Sequence, residues 1–143
     1  MLRQKLIDVA LEWQKQFGVA PQITTPLSEY DAAMLVGMSE KEYSHYMQDK
    51  TAVAKGSDFV YNGVRYQVKG NRPSGKPGSR ITMVPKATNY DWDKLIWVMY
   101  DKHYIIQEAW QWDVELYRKE FHHIKRLSPS HYRKGFCLYD KNS

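Results

Sequence analysis

The 143-residue chain has a single cysteine, Cys137. One thiol cannot close an intramolecular disulfide or build a cysteine zinc cluster, which excludes the small secreted scaffolds and the zinc ribbons. Long hydrophobic runs are also lacking. The most apolar stretch, LIWVMY at residues 95–100, is far short of the ~20 residues that span a bilayer. The N-terminal MLRQKLIDVALEWQKQF interleaves charge with apolar residues, the pattern of neither a signal peptide nor an anchor. Acidic residues are absent from 65–86, where Arg65, Lys69, Arg72, Lys76, Arg80 and Lys86 stand. Aromatics, by contrast, are abundant: 5 Trp, 11 Tyr and 4 Phe exclude a disordered or low-complexity chain.

What remains is a chain of one-domain length whose 43% hydrophobic content supports a packed core. It is expected to be soluble and cytoplasmic, with no membrane association. The net charge of +5 is compatible with nucleic acid, anionic lipid or an ordinary solvated surface. Its distribution says more. A second basic group, Arg118, Lys119, Lys125, Arg126, Arg133 and Lys134, follows the basic stretch at 65–86.

Periodicity predicts a helical N-terminal part, residues 1–50. Leu2, Leu6, Val9, Trp13 and Phe17 form one apolar stripe, and Gly18 stops the helix. A second helix is expected from Ser28, with Asp31 in the capping-box position, and a third from Ser39, with Glu42 in the box. The period then changes. Phe59, Tyr61, Val64, Tyr66 and Val68 alternate about Asn62-Gly63, a dipeptide suited to a two-residue type I′ turn. The segment GNRPSGKPGS reads as a basic loop. Further strands are expected at Arg80–Val84, Lys94–Tyr100 (the buried central one), Tyr104–Trp110 and Gly135–Tyr139, with one helix over 112–121. Residues 56–139 are thus a sheet core with one helix. The whole chain is a single α/β domain, a mixed central sheet flanked by helices.

Counting outward from Asn62-Gly63 pairs Phe59 with Tyr66 and sets Asp58 beside Gln67 on one face. Lys69 follows two residues on, and Val68 turns to the core. A carboxylate, an amide oxygen and a lysine therefore converge beside a basic loop. Hard divalent cations take oxygen ligands, and Mg²⁺ uses one or two carboxylates while keeping several waters. Asp58, the Gln67 side-chain oxygen and the Val68 carbonyl are candidate ligands. Lys69 is placed to stabilise charge on a phosphate or to orient water.

Asp58, eight intervening residues, then Gln67-Val68-Lys69 resembles the signature of the PD-(D/E)XK nucleases, the restriction-endonuclease-like superfamily. The closest likeness is to the Mrr-like variants with glutamine in place of the second acid. The similarity covers roughly residues 27–121, with LIWVMYDKHYIIQEAW resembling the paired core strands behind the active hairpin. Ser57 stands where the signature has proline. The resemblance implies a restriction-endonuclease-like fold and a Mg²⁺-dependent DNA endonuclease, with Mn²⁺ a possible substitute. It implies a further ligand, Glu29, from the upstream helix, and products with a 5′-phosphate and a 3′-hydroxyl. Stand-alone size points to a type II restriction enzyme, prokaryotic or phage-encoded, with a phage, repair or junction-resolving nuclease as the alternative. Cutting both strands of double-stranded DNA needs two sites, hence an expected homodimer. Arg72, Lys76, Arg80 and Lys86 would contact the DNA backbone.

Each feature has a plainer reading. Asp58, Gln67 and Lys69 are also compatible with a solvent-facing hairpin, Glu29 with a dipole contact at its helix start, and the basic loop with a solvated surface. His122 and His123 fit an exposed helix end better than a metal site. Cys137 fits a small core position, while Tyr90 and Trp92 are candidates for stacking on bases. A rival from another class lies in residues 28–48. A helix pair turning at Gly37 would present Lys41, Ser44, His45 and Gln48 to a major groove, as in a non-catalytic helix-turn-helix binder.

Overall fold

The computed structural model describes residues 1–50 and 56–143. Three helices come first: α1 (Leu2–Phe17), α2 (Thr24–Leu35) and α3 (Glu40–Asp49). The hairpin β1 (Phe59–Tyr61) and β2 (Val64–Asn71) follows, then β3 (Lys94–Tyr100) and β4 (Ile106–Asp113). Two helices, α4 (Val114–Phe121) and the single-turn α5 (Pro129–Tyr132), precede the last strand, β5 (Phe136–Asp140). The five strands lie side by side in chain order. β2 and β3 run parallel, and the other neighbours are antiparallel. The protein is mixed α/β with a mixed sheet, and the sheet region holds a second short helix besides the expected one.

The central strand β3 explains its own sequence. Ile96, Val98 and Tyr100 point into a core beneath α1 and α2. Leu95 and Trp97 point the other way, into an aromatic core with Trp112, Tyr117, Phe121 and Tyr132. A strand covered on both faces reads as a continuous apolar run. Parallel β2 and β3 require a crossover, and its residues Val84, Ala87 and Trp92 close over the aromatic core.

The hairpin has the expected register, Phe59 with Tyr66 and Tyr61 with Val64. Asn62 and Gly63 take φ of 51° and 75°, the positive values that a type I′ turn needs. Ser39 and Glu42 form the expected capping box at the start of α3.

Other expectations are corrected. α2 begins at Thr24, four residues before Ser28. Pro26 sits in its first turn, where proline is tolerated because the missing N–H has no helical acceptor. Ser28 is buried inside the helix and donates its hydroxyl to the Thr25 carbonyl. The expected strand at Arg80–Val84 does not form; this stretch only bridges Val84 to Leu127. β4 starts two residues later than expected, at Ile106. Cys137 is exposed on β5. α1 itself forms as expected and ends at Gly18; its stripe Leu2, Leu6, Val9, Trp13 and Phe17 is exposed, because the helix packs through Ile7 and Ala10.

Candidate functional site

β1 is short, and Asp58 is the reason the edge beyond it is useful. The Asp58 amide still donates to the Tyr66 carbonyl at 2.7 Å, extending the ladder one step. Its side chain then takes over the role of a backbone acceptor. Oδ2 accepts the Val68 N–H at 2.7 Å and the Gln67 amide nitrogen Nε2 at 3.1 Å. A residue in a ladder directs its N–H and carbonyl to the same side. The Val68 carbonyl therefore faces the edge that Asp58 occupies. Asp58, Gln67 and Val68 are brought together as the hairpin register required.

Glu29 arrives from α2. A glycine makes this possible: a Cβ at Gly70 on β2 would lie 2.7 Å from both Cβ and Oγ of Ser28. Without it the helix could not approach the strand so closely. The Glu29 carboxyl comes within hydrogen-bonding reach of Asp58, and its pKa rises to about 7 through burial first and then the Asp58 charge. Beside the Asp58 charge, Glu29 holds its proton more tightly than a free glutamate does.

Three residues that the sequence reading did not single out complete the surroundings. Lys50, at the end of α3, donates Nζ to the Asp58 carbonyl at 3.0 Å and draws the Glu29 pKa downward. The Tyr43 phenol is pushed up to about 12 by burial and by Glu29 and Asp58. Burial and Asp58 raise Tyr46 as well. Tyr43, Tyr46 and Lys50 recur at three- and four-residue spacing on one side of α3, the signal that could have found them.

Lys69 lies on β2 two residues beyond Gln67, on the same side, and is half-buried. Its register partner is Trp97, as Leu95 is that of Gln67. Glu29 reaches Asp58 from the α2 face, whereas Gln67 and Lys69 belong to the other. Glu29 and Gln67 meet at Asp58, at the edge where β1 ends, while Lys69 makes no hydrogen bond or ion pair with Asp58 or Glu29 among the described residues.

Of the residues expected to touch DNA, Lys76 and Arg80 are exposed. Arg72 is committed to the fold: its guanidinium donates to the Lys102 carbonyl and to Gln14 Oε1 and lies 4.3 Å over the Tyr104 ring. Lys86 is likewise engaged, donating to the carbonyls of His122 and Ile124 beyond α4. Trp92 is fully buried and donates Nε1 to the Asn89 carbonyl, so it does not stack on bases. Tyr90 hydrogen-bonds His122 Nδ1 at 2.7 Å, and that histidine is a phenol partner.

The donors around Asp58 are all oxygen: two carboxylates, a backbone carbonyl and, after a half-turn of the Gln67 amide, its Oε1. That set fits Mg²⁺ or Mn²⁺ and does not suit a soft metal. Among the described residues, no three His, Cys, Asp or Glu side chains converge. The site depends on the amide and the backbone as much as on its acids. No known family model and no curated protein matches this chain.

Proposed function

We propose that the protein is a Mg²⁺-dependent DNA endonuclease of restriction-endonuclease-like fold, most simply a type II restriction enzyme. The observation that carries this reading is Asp58, at the end of a truncated edge strand, gathering Gln67 and the Val68 amide while Glu29 crowds it from α2. A surface ion pair would bring a cation to the Asp58 carboxylate; α2 brings it a second acid.

Asp58 and Glu29 would hold the metal with the Gln67 oxygen and the Val68 carbonyl. The bound ion would polarise the scissile phosphate and acidify a water. Lys69 would orient that water and neutralise charge gathering on the phosphate. Water adds to phosphorus, the 3′ oxygen leaves and takes a proton, and the ends are a 5′-phosphate and a 3′-hydroxyl. Exposed Lys76 and Arg80 would follow the DNA backbone.

The helix-turn-helix alternative has the expected turn, with Gly37 at φ 102°, and Lys41, His45 and Gln48 are exposed. Yet α3 carries Glu40, Glu42 and Asp49 against Lys41, a poor charge pattern for a groove lined by phosphates. The deciding experiment digests plasmid and viral DNA with Mg²⁺ or Mn²⁺. The wild-type chain cuts. Lys69→Ala cuts at least ~100-fold more slowly while binding DNA as before. Intact DNA with both proteins defeats the reading.

A further inference from the structure

α1 leaves its main apolar stripe uncovered. Leu2, Val9, Trp13 and Phe17 are each at least half exposed, and Leu6 is 39% exposed. The Trp13 and Phe17 rings pack on each other, their centroids 4.8 Å apart. The helix uses a neighbouring strip, Ile7 and Ala10, to reach its own core. The open stripe amounts to apolar surface on the order of 500 Å², as large as the largest patch of a typical monomer. With its polar margin it approaches the ~800 Å² per partner of a standard interface.

We infer that this face is the dimer interface, two copies of α1 packing antiparallel about a two-fold axis near Val9. The stripe runs at positions 2, 6, 9, 13 and 17, three- and four-residue steps of the kind that make a helix–helix seam. Running the copies antiparallel sets Leu6 against Trp13 and Leu2 against Phe17 of the second copy, with Val9 meeting itself. Every exposed apolar residue of the stripe is then used.

The charged margin agrees. Lys5 and Glu12 stand seven residues apart along the outer side of the stripe, both exposed, and form no ion pair among the described residues. Antiparallel pairing brings Lys5 of each copy to Glu12 of the other, twice. A parallel pair would set them against Ala10 and Phe17, with no opposite charge. A margin of both signs also speaks against an anionic membrane, which selects a basic one. The inference stands on α1 alone and is independent of the nuclease reading. If both hold, each strand of a duplex has its own site.

Sedimentation of the full chain across a concentration series tests it, with unfolding midpoints confirming that each variant folds. The wild type is a dimer with a dissociation constant in the micromolar range or tighter. Val9→Glu and Trp13→Glu are monomers at the same concentrations. Lys5→Glu and Glu12→Lys each weaken the dimer roughly tenfold, because two attractive pairs become repulsive. The double variant Lys5→Glu/Glu12→Lys restores it. A monomeric wild type overturns the inference, as does a dimer untouched by Val9→Glu or a double variant weaker than both single ones. So does a monomer that instead binds phosphatidylserine vesicles through Trp13.

Discussion

Two acids on α2, two residues apart, have opposite surroundings. Asp31 points toward α1 and the central strand. It accepts from Arg3 Nε and Nη2 at 2.6 and 2.9 Å, and from the Tyr100 hydroxyl at 2.6 Å. The pair raises the Arg3 pKa, and burial beside Asp31 raises that of Tyr100. Glu29 lies ~200° further round the helix, where the largest charge effect on it, among the described residues, is that of another carboxylate, Asp58. Both acids are taken from water, but among the described residues only Asp31 receives a cation, with three donated hydrogen bonds, in return. The difference separates a carboxylate that holds the fold from one kept in a state the fold alone does not favour.

The largest consequence is for stability. Asp31→Ala removes three charge-assisted or buried hydrogen bonds and strands a half-buried guanidinium, so it should cost about 3 kcal/mol. Asp58→Asn should fall within ~1 kcal/mol of the wild type, since among the described residues no cation loses a salt-bridge partner. Urea unfolding measures both, and equal losses would erase the contrast. Gly70→Ala comes next. Its Cβ meets Ser28 at 2.7 Å, and either helix or strand must shift, at about 2 kcal/mol. Because the shift carries Glu29 away from Asp58, the variant should also lose Mg²⁺-induced stabilisation.

A smaller effect comes from pH. The Glu29 pKa rises from 4.5 to about 7, so between these values the folded chain keeps a proton that the unfolded chain releases. The stabilisation is complete below the lower value and fades as pH climbs through the upper one. Between about pH 5 and 8 the loss should be ~1–2 kcal/mol, reduced from the full shift because Glu29 is partly solvated. Glu29→Gln should flatten the profile and be the more stable protein at high pH. Added Mg²⁺ should stabilise the wild type more at pH 8 than at pH 6, and Glu29→Gln hardly at either. A wild-type profile rising over this window would overturn the assignment.

Much of the sheet side of the site was legible because its information is local. Asn62-Gly63 fixes the turn, the turn fixes the register, and the register puts Gln67 beside Asp58 whatever else the chain does. Ser39 and Glu42 mark α3 for the same reason. The α2 side was less legible. Pro26 reads as a connector residue but occupies a first helical turn, so Ser28 looked like a cap when it is the buried contact that Gly70 admits. The stripe on α1 is a true helical period that the described residues leave uncovered. Arg80–Val84 has strand-like residues but lies in the crossover, where the sheet offers it no neighbour. Arg72 and Lys86 show why charge alone does not locate a nucleic-acid surface: the carbonyls they bind belong to distant turns.

The smallest expected effect sharpens the contrast most. Among the described residues, Lys50 is the cation whose charge acts on Glu29, yet its ammonium bonds the Asp58 main-chain carbonyl at 3.0 Å. It lowers the Glu29 pKa only as the last of four influences, behind burial and the two effects of Asp58. If Lys50 acted as Arg3 does for Asp31, its removal would be severe. As a weak counter-charge, held on a main-chain carbonyl, it should matter little. Lys50→Gln keeps a donor for the carbonyl and deletes the charge, so the Glu29 titration should move up by about half a pH unit, with stability at low pH unchanged within ~0.5 kcal/mol. Carbon-13 titration of the glutamate carboxyls reads the first and urea unfolding the second. A downward shift would reverse the sign assigned to Lys50, and a loss as large as that of Asp31→Ala would make the two acids alike.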